Sequence, residues 1–185
     1  MSMKGRLASL FTYPVDPAEP RILRLTEPIL IVGMGVDTSV RTVSRDAPAL
    51  GKRLREFKAG YRIPHLKQPW AFAAVSKGFD ERTGKFSYIM GDVVTRLEKL
   101  PPELTAFEIP PLTYAVFSVR PRNRFGWPIA IAATKQYAYT AWLPNSGYEA
   151  ARIIDDFEYH DERSARRKRP RIDLYVAVKE RSPGS

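Results

Sequence analysis

Few residues in this 185-residue chain suit covalent or metal chemistry. Cysteine is absent, which excludes disulfides, a thiol nucleophile and any cysteine-ligated zinc or iron–sulfur centre. The only histidines, His65 and His160, stand far apart with no H-x-x-x-H spacing, so no metal site and no cofactor are expected. Gly33-x-Gly35 lacks the third glycine and the helix start of a dinucleotide fingerprint. The chain contains no G-x-S-x-G elbow and no P-loop, and nothing points to a serine–histidine–aspartate triad. What remains is carboxylates among aromatic rings. Asp173 and Tyr175 lie two apart in the β-branched segment IDLYVAV, so they share one strand face. Glu158 sits in FEYHDE, among further rings. Rings stack on flat ligands and attract cations, and a partly buried carboxylate complements positive charge. The same carboxylate could act as a general base if burial raised its pKa.

These residues need elements to position them. Residues 29–36 are apolar and β-branched, a buried strand whose glycines permit close approach or a bulge. Ser44 is expected as the N-cap of a helix, with Asp46 complementing its dipole and Pro48 in its first turn. Ala47, Leu50, Leu54 and Phe57 form one helical face, and Gly60 is the expected stop. Residues 70–76 and 86–94 then read as a hairpin around the turn at 80–84. The order recurs: a short strand at 104–109, a strand at 113–120, a helix from Pro128 to Trp142, and a hairpin of 156–160 with 172–178. Strand–helix–hairpin twice is an internal duplication in element order. The expected class is α+β: duplicated β-α-β-β units, two helices packed on a mainly antiparallel sheet, and a central ligand cleft where the halves meet.

The length suits one domain, and a composition that is 44% hydrophobic and 11% aromatic supplies its core. Residues 1–27, with three prolines and little periodicity, read as a lead-in segment, and 28–180 as the domain. No stretch approaches the length of a membrane span, and residues 7–11 are too brief for a signal-peptide core, so a soluble, cytoplasmic protein is expected. The net charge of +10 is largely local. Without Arg163, Arg166, Arg167, Lys168, Arg169 and Arg171 it falls to +4. That tract reads as a solvated loop or as a contact for nucleic acid or an acidic protein; no ring within it would stack on bases.

Five segments together carry a resemblance. FSYIMGDVV at 86–94, FEIPPL at 107–112 running into TYAVFSVR at 113–120, WLPNSGYE at 142–149 and IDLYVAV at 172–178 resemble, in this order, the motifs of GyrI-like domains. The likeness spans about residues 28–179. That family includes the effector-binding domains of AraC-type and MerR-type multidrug regulators and stand-alone relatives of the gyrase inhibitor, bacterial proteins tied to transcription regulation. The resemblance implies a pocket lined by aromatic rings and one or two carboxylates, with lipophilic, aromatic and often cationic ligands. Carried over by position, the closing-strand carboxylate matches Asp173, an aspartate where the family has glutamate, and the ring after it Tyr175. Glu158 matches a second acidic position, Tyr88 and Tyr114 match strand aromatics, and Tyr137 lies on the second helix. Trp70 completes the expected ligand-binding set. At each place a packing or surface role competes; Asp173, for one, could pair with Arg171.

The function implied is a stand-alone module that senses or sequesters such compounds. Residues 1–27 are too short for a helix-turn-helix, so no DNA-binding domain of its own is expected. Two alternatives stand beside it. One is a hydrolase of strained cyclopropane-bearing compounds that uses a pocket carboxylate. The other is an interaction protein of the gyrase-inhibitor kind.

Overall fold

The computed structural model of the chain describes residues 19–121 and 126–181. In chain order the elements are β1 (Arg21–Arg24), β2 (Ile29–Ser39), α1 (Val43–Gly60), β3 (Phe72–Asp80), β4 (Lys85–Val94), β5 (Thr105–Ile109) and β6 (Thr113–Val119). Then follow α2 (Trp127–Tyr137), a π-helical turn (Ala138–Trp142), α3 (Leu143–Asn145), β7 (Tyr148–Ala150), β8 (Asp156–His160) and β9 (Ile172–Glu180). The nine strands form one sheet in the order β1-β6-β9-β8-β3-β4-β2-β5, with β7 also on β9, and every pairing is antiparallel. Each half orders its three strands alike, β2-β4-β3 and β6-β9-β8, and the halves meet where β3 pairs β8. The expected duplicated α+β architecture is therefore present. Residues 21–24, which carry no periodic signal, add β1 as an edge strand on β6.

Two local expectations need correction. α1 begins at Val43 with Thr42, not Ser44, at its cap, because Thr38, Thr42 and Asp46 link their side chains there. Pro48 consequently lies inside the helix rather than in its first turn. The second helix does not run regularly to Trp142: after Tyr137 it widens into the π-helical turn. That turn lets Trp142 stack on Tyr148 at 6.0 Å and meet Phe117 edge-on at 5.4 Å.

The sheet cannot be flat. β5 and β6 lie six strand positions apart, which on a flat sheet is roughly 29 Å at ~4.8 Å per strand. Residues 110–112 alone connect them, and that link reaches at most about 15 Å. The sheet must curl, and one face becomes concave. There Ile31, Ile89 and Ile109 of the first half join one apolar cluster with Tyr114, Val116 and Phe157 of the second. The helices take the other face. α1 packs on β2 and β4 through Leu50 and Leu54, and α2 packs on β6 and β9 through Ala130.

The backbones of β2 and β4 approach closely where Gly33 faces Gly91. A Cβ on Gly33 would stand 1.9 Å from the Met90 carbonyl oxygen, and one on Gly91 would stand 2.5 Å from that of Val32. Both obstacles are backbone, which cannot swing aside. Gly33→Ala should therefore destabilise the protein by on the order of 3 kcal/mol, measured by chemical unfolding. Gly60→Ala, whose Cβ would meet nothing within 4 Å, should change stability by less than about 1 kcal/mol.

Candidate ligand site between the helices

The groove between α1 and α2 has β3 and β8 as its floor. Directly opposed residues of an antiparallel pair point to the same face. The register pairs Phe72 with His160, Ala74 with Glu158 and Ser76 with Asp156, and Ser76 in turn faces Tyr88 of β4. All of these lie on the helix side. The floor thus carries a small residue at its centre, two carboxylates one turn of the pleat apart, and rings at both ends.

Over this floor α2 places Lys135. Its ammonium lies 2.8 Å from Asp156 Oδ1 and 3.3 Å from Glu158 Oε1, and donates to Ser76 Oγ at 3.2 Å. The contact with Ser76 is a hydrogen bond, whereas the two carboxylates are held as ion pairs, Asp156 Oδ1 itself accepting no hydrogen bond. One turn further on, in the π-helical turn, the Tyr139 hydroxyl donates to Asp156 Oδ2 at 3.1 Å, while Tyr88 of β4 lies close to Glu158. Asp156 and Glu158 are buried, at 3% and 6% exposure, so two full charges are taken from water and held by named partners. Burial alone would lower the affinity of Lys135 for its proton, but the charges of Asp156 and Glu158 outweigh it and hold the ammonium firmly protonated. Burial, then the charges of Glu158 and Asp156, keeps Tyr88 protonated well beyond the usual phenol range. Burial and Asp156 do the same for Tyr139. Two carboxylates against one ammonium leave the cluster with one net negative charge. At the far end His160 lies edge-on to Phe72 at 5.7 Å and beside Trp127 at 6.3 Å.

The expected site residues divide between the two faces. Tyr88 and Glu158 meet in the groove. Tyr137 lies on the same helix as Lys135 but about 200° around it, and packs edge-on against Phe117 at 6.3 Å. Asp173, Tyr175 and Tyr114 are on the concave face, because Glu158 opposes Leu174 and Asp173 opposes Tyr159. Tyr175 stacks on Phe157 at 4.4 Å, and Tyr114 donates to the Pro110 carbonyl oxygen at 2.7 Å. Asp173 and Tyr175 share a face, but Asp173 is held by Arg163 at 2.7 Å and Arg21 at 3.3 Å rather than by Arg171. Trp70 is 42% exposed, in the loop before β3. In the basic tract Arg163 is tied to Asp161 and Asp173, and Arg166 pairs with Glu162 at 3.7 Å, while Arg167, Lys168 and Arg169 face water.

Lys135, Tyr139, Asp156, Ser76 and His160 escaped the sequence reading. Two weak signals pointed to them: Lys135 and Tyr139 stand at i, i+4, and Asp156 and Glu158 at i, i+2. Neither says that the two pairs face each other.

Burial holds His160 below the ordinary imidazole value of 6.5, against the opposing pull of Glu158 and Asp161. The unfolded chain therefore binds a proton there that the folded chain resists. Stability from this residue is present above 6.5 and declines as pH falls toward the lower folded value. Urea unfolding at about pH 7.5 and about pH 5.5 should show the wild type losing more stability than His160→Gln on acidification.

Comparison with known proteins follows the same architecture. The family model Cass2, described as an integron-associated effector binding protein, matches residues 24–178. A sequence comparison with curated proteins finds no match. Among solved structures the chain is similar to the integron cassette protein VCH_CASS2 from the mobile metagenome of Vibrio cholerae. That pair has 18% identity and a TM-score of 0.58, over 87% of this chain and 96% of that one. It is similar also to SAV2435, solved bound to tetraphenylphosphonium, with 12% identity and a TM-score of 0.66, over 88% of this chain and 94% of that one. A third likeness is to the C-terminal domain of EcmrR, with 11% identity and a TM-score of 0.58, over 88% and 98% of the two chains. At these identities the structures establish the shared fold, and the family match covers most of the chain. With its duplicated β-α-β-β halves joined through β3 and β8, the chain belongs to the Cass2 family of effector-binding proteins, within the GyrI-like superfamily.

Proposed function

We propose that the protein binds a lipophilic aromatic cation in the groove between α1 and α2 and senses or sequesters it without transforming it. The observation that carries this reading is the Lys135 ammonium, seated between Asp156 and Glu158 beneath Tyr88. The place accepts a positive charge, and the cluster keeps a net negative charge even with Lys135 in it. A delocalised organic cation suits such a place better than an ammonium does, because it gives up less hydration on entry. The rings of Tyr88, Phe72, His160 and Trp127 supply stacking surface along the same groove. The family match to effector-binding proteins and the tetraphenylphosphonium held by SAV2435 support the same ligand class. Lys135 acts in this reading as a tethered occupant that the ligand must displace. Lys135 is only partly covered, and its long flexible stem lets the ammonium swing toward water when another cation takes its place.

Calorimetric titration with tetraphenylphosphonium tests this. Glu158→Gln should weaken binding by about tenfold or more, because the incoming charge loses its buried partner. The double variant Lys135→Met with Asp156→Asn keeps one net negative charge in the cluster but removes the tethered cation, and it should bind about tenfold more tightly than wild type. Absence of binding in both the wild type and the double variant would overturn the reading, as would undiminished binding by Glu158→Gln.

A further inference from the structure

The concave side carries a second group of charges that the groove does not use. Where the basic loop returns to β9, a cavity of about 410 Å³ opens beside the end of the β6–β9 ladder. Arg21, Arg120, Arg163 and Arg171 line it, with Asp173 and Glu19, so guanidinium groups dominate its charged wall. The volume falls in the range of small-molecule sites, which begins at about 300 Å³.

Asp173 is already paired. Its Oδ2 accepts from Arg163 Nη2 at 2.7 Å and from Arg21 Nη2 at 3.3 Å, and Arg163 also binds Asp161. The carboxylate therefore fixes two guanidinium groups in place and neutralises part of their charge. Ser118, directly opposite Asp173 in the ladder, has its hydroxyl oxygen buried with no hydrogen-bond partner. Arg171 has its Nε buried with no acceptor. A buried donor left unpaired costs about 1–3 kcal/mol, more on a charged group. Two such groups on the wall of one cavity, both able to donate, define what is missing: an acceptor. A guanidinium presents its N–H groups in a planar fork that matches the paired oxygens of a carboxylate or phosphate. Val116 and Phe117 add apolar wall, so the complementary molecule is an anion with an apolar body rather than a bare ion.

We infer that this cavity is a second binding site, for a small organic oxyanion whose carboxylate or phosphate accepts from Arg171 and Ser118 while Asp173 holds Arg163 and Arg21 in register around it. Part of the basic tract thereby gains a role. Arg163 and Arg171 build a pocket, and Arg167, Lys168 and Arg169 remain a solvated loop. Asp173 and Ser118 point to the opposite face of the sheet from Glu158, and the cavity reaches round the sheet end to Thr134 of α2 without including any residue of the Lys135 cluster, so it stands or falls independently of the cation reading.

Calorimetry at low ionic strength with benzoate, phenyl phosphate and inorganic phosphate tests it. Saturable one-to-one binding of benzoate or of phenyl phosphate is expected, tighter than that of inorganic phosphate because of the apolar wall. Which of the two binds distinguishes a carboxylate from a phosphate ligand. Arg171→Gln should weaken it by about tenfold or more. Ser118→Ala, which leaves the charge intact and serves also if Arg171→Gln does not fold, should weaken it by about threefold to tenfold. The exposed-loop variant Arg167→Gln, Lys168→Gln, Arg169→Gln should bind as the wild type does. The inference is overturned if neither benzoate nor phenyl phosphate saturates the wild type. Binding that survives in Arg171→Gln or Ser118→Ala but is lost in the loop variant overturns it equally, since that marks diffuse attraction to the loop.

Discussion

The pairing of β3 with β8 is the constraint on which the arrangement depends. It is the hydrogen-bonded seam between the two halves, and its register decides which side chains can meet. With Ser76 opposite Asp156 and Ala74 opposite Glu158, two carboxylates and a hydroxyl share one face with Tyr88. A slip of β8 by one residue would send Asp156 and Glu158 to the concave side and bring Phe157 to the helices. The apolar cluster on the concave face resists such a slip, because Phe157 and Val75 are completely buried there.

That register creates an electrostatic problem, which α2 resolves. Two buried carboxylates close together repel each other, and each has lost its hydration. Lys135 reaches over them from the helix and supplies both with one cation, while Tyr139 fills a further lone pair of Asp156. The geometry binds helix to sheet at the centre of the groove. It also reserves, inside the protein, a position whose natural occupant is a positive charge.

The opposite face uses charge differently. There a single buried carboxylate, Asp173, gathers arginines from β1 and from the loop before β9. One face of the sheet is therefore acidic at its centre and the other basic at its end. The curl that closes residues 110–112 between distant strands keeps the two environments apart.

The elements and their order were legible in the chain. β-branched runs, the Leu50 and Leu54 spacing, the glycine and proline punctuation and the repeated strand–helix–hairpin order determine a duplicated α+β domain, because local periodicity reflects which face is buried. Tyr88 and Glu158 were also within reach, as residues on strands that the motifs mark. Their partners were not. Whether Asp173 joins Glu158 depends on the parity of the β8–β9 register, and whether Lys135 meets Asp156 depends on how α2 rotates on its strands. Both are set by packing between segments distant in sequence. A sequence states which residues alternate along a strand; only the folded sheet decides which strands lie side by side, and hence which charges must answer one another.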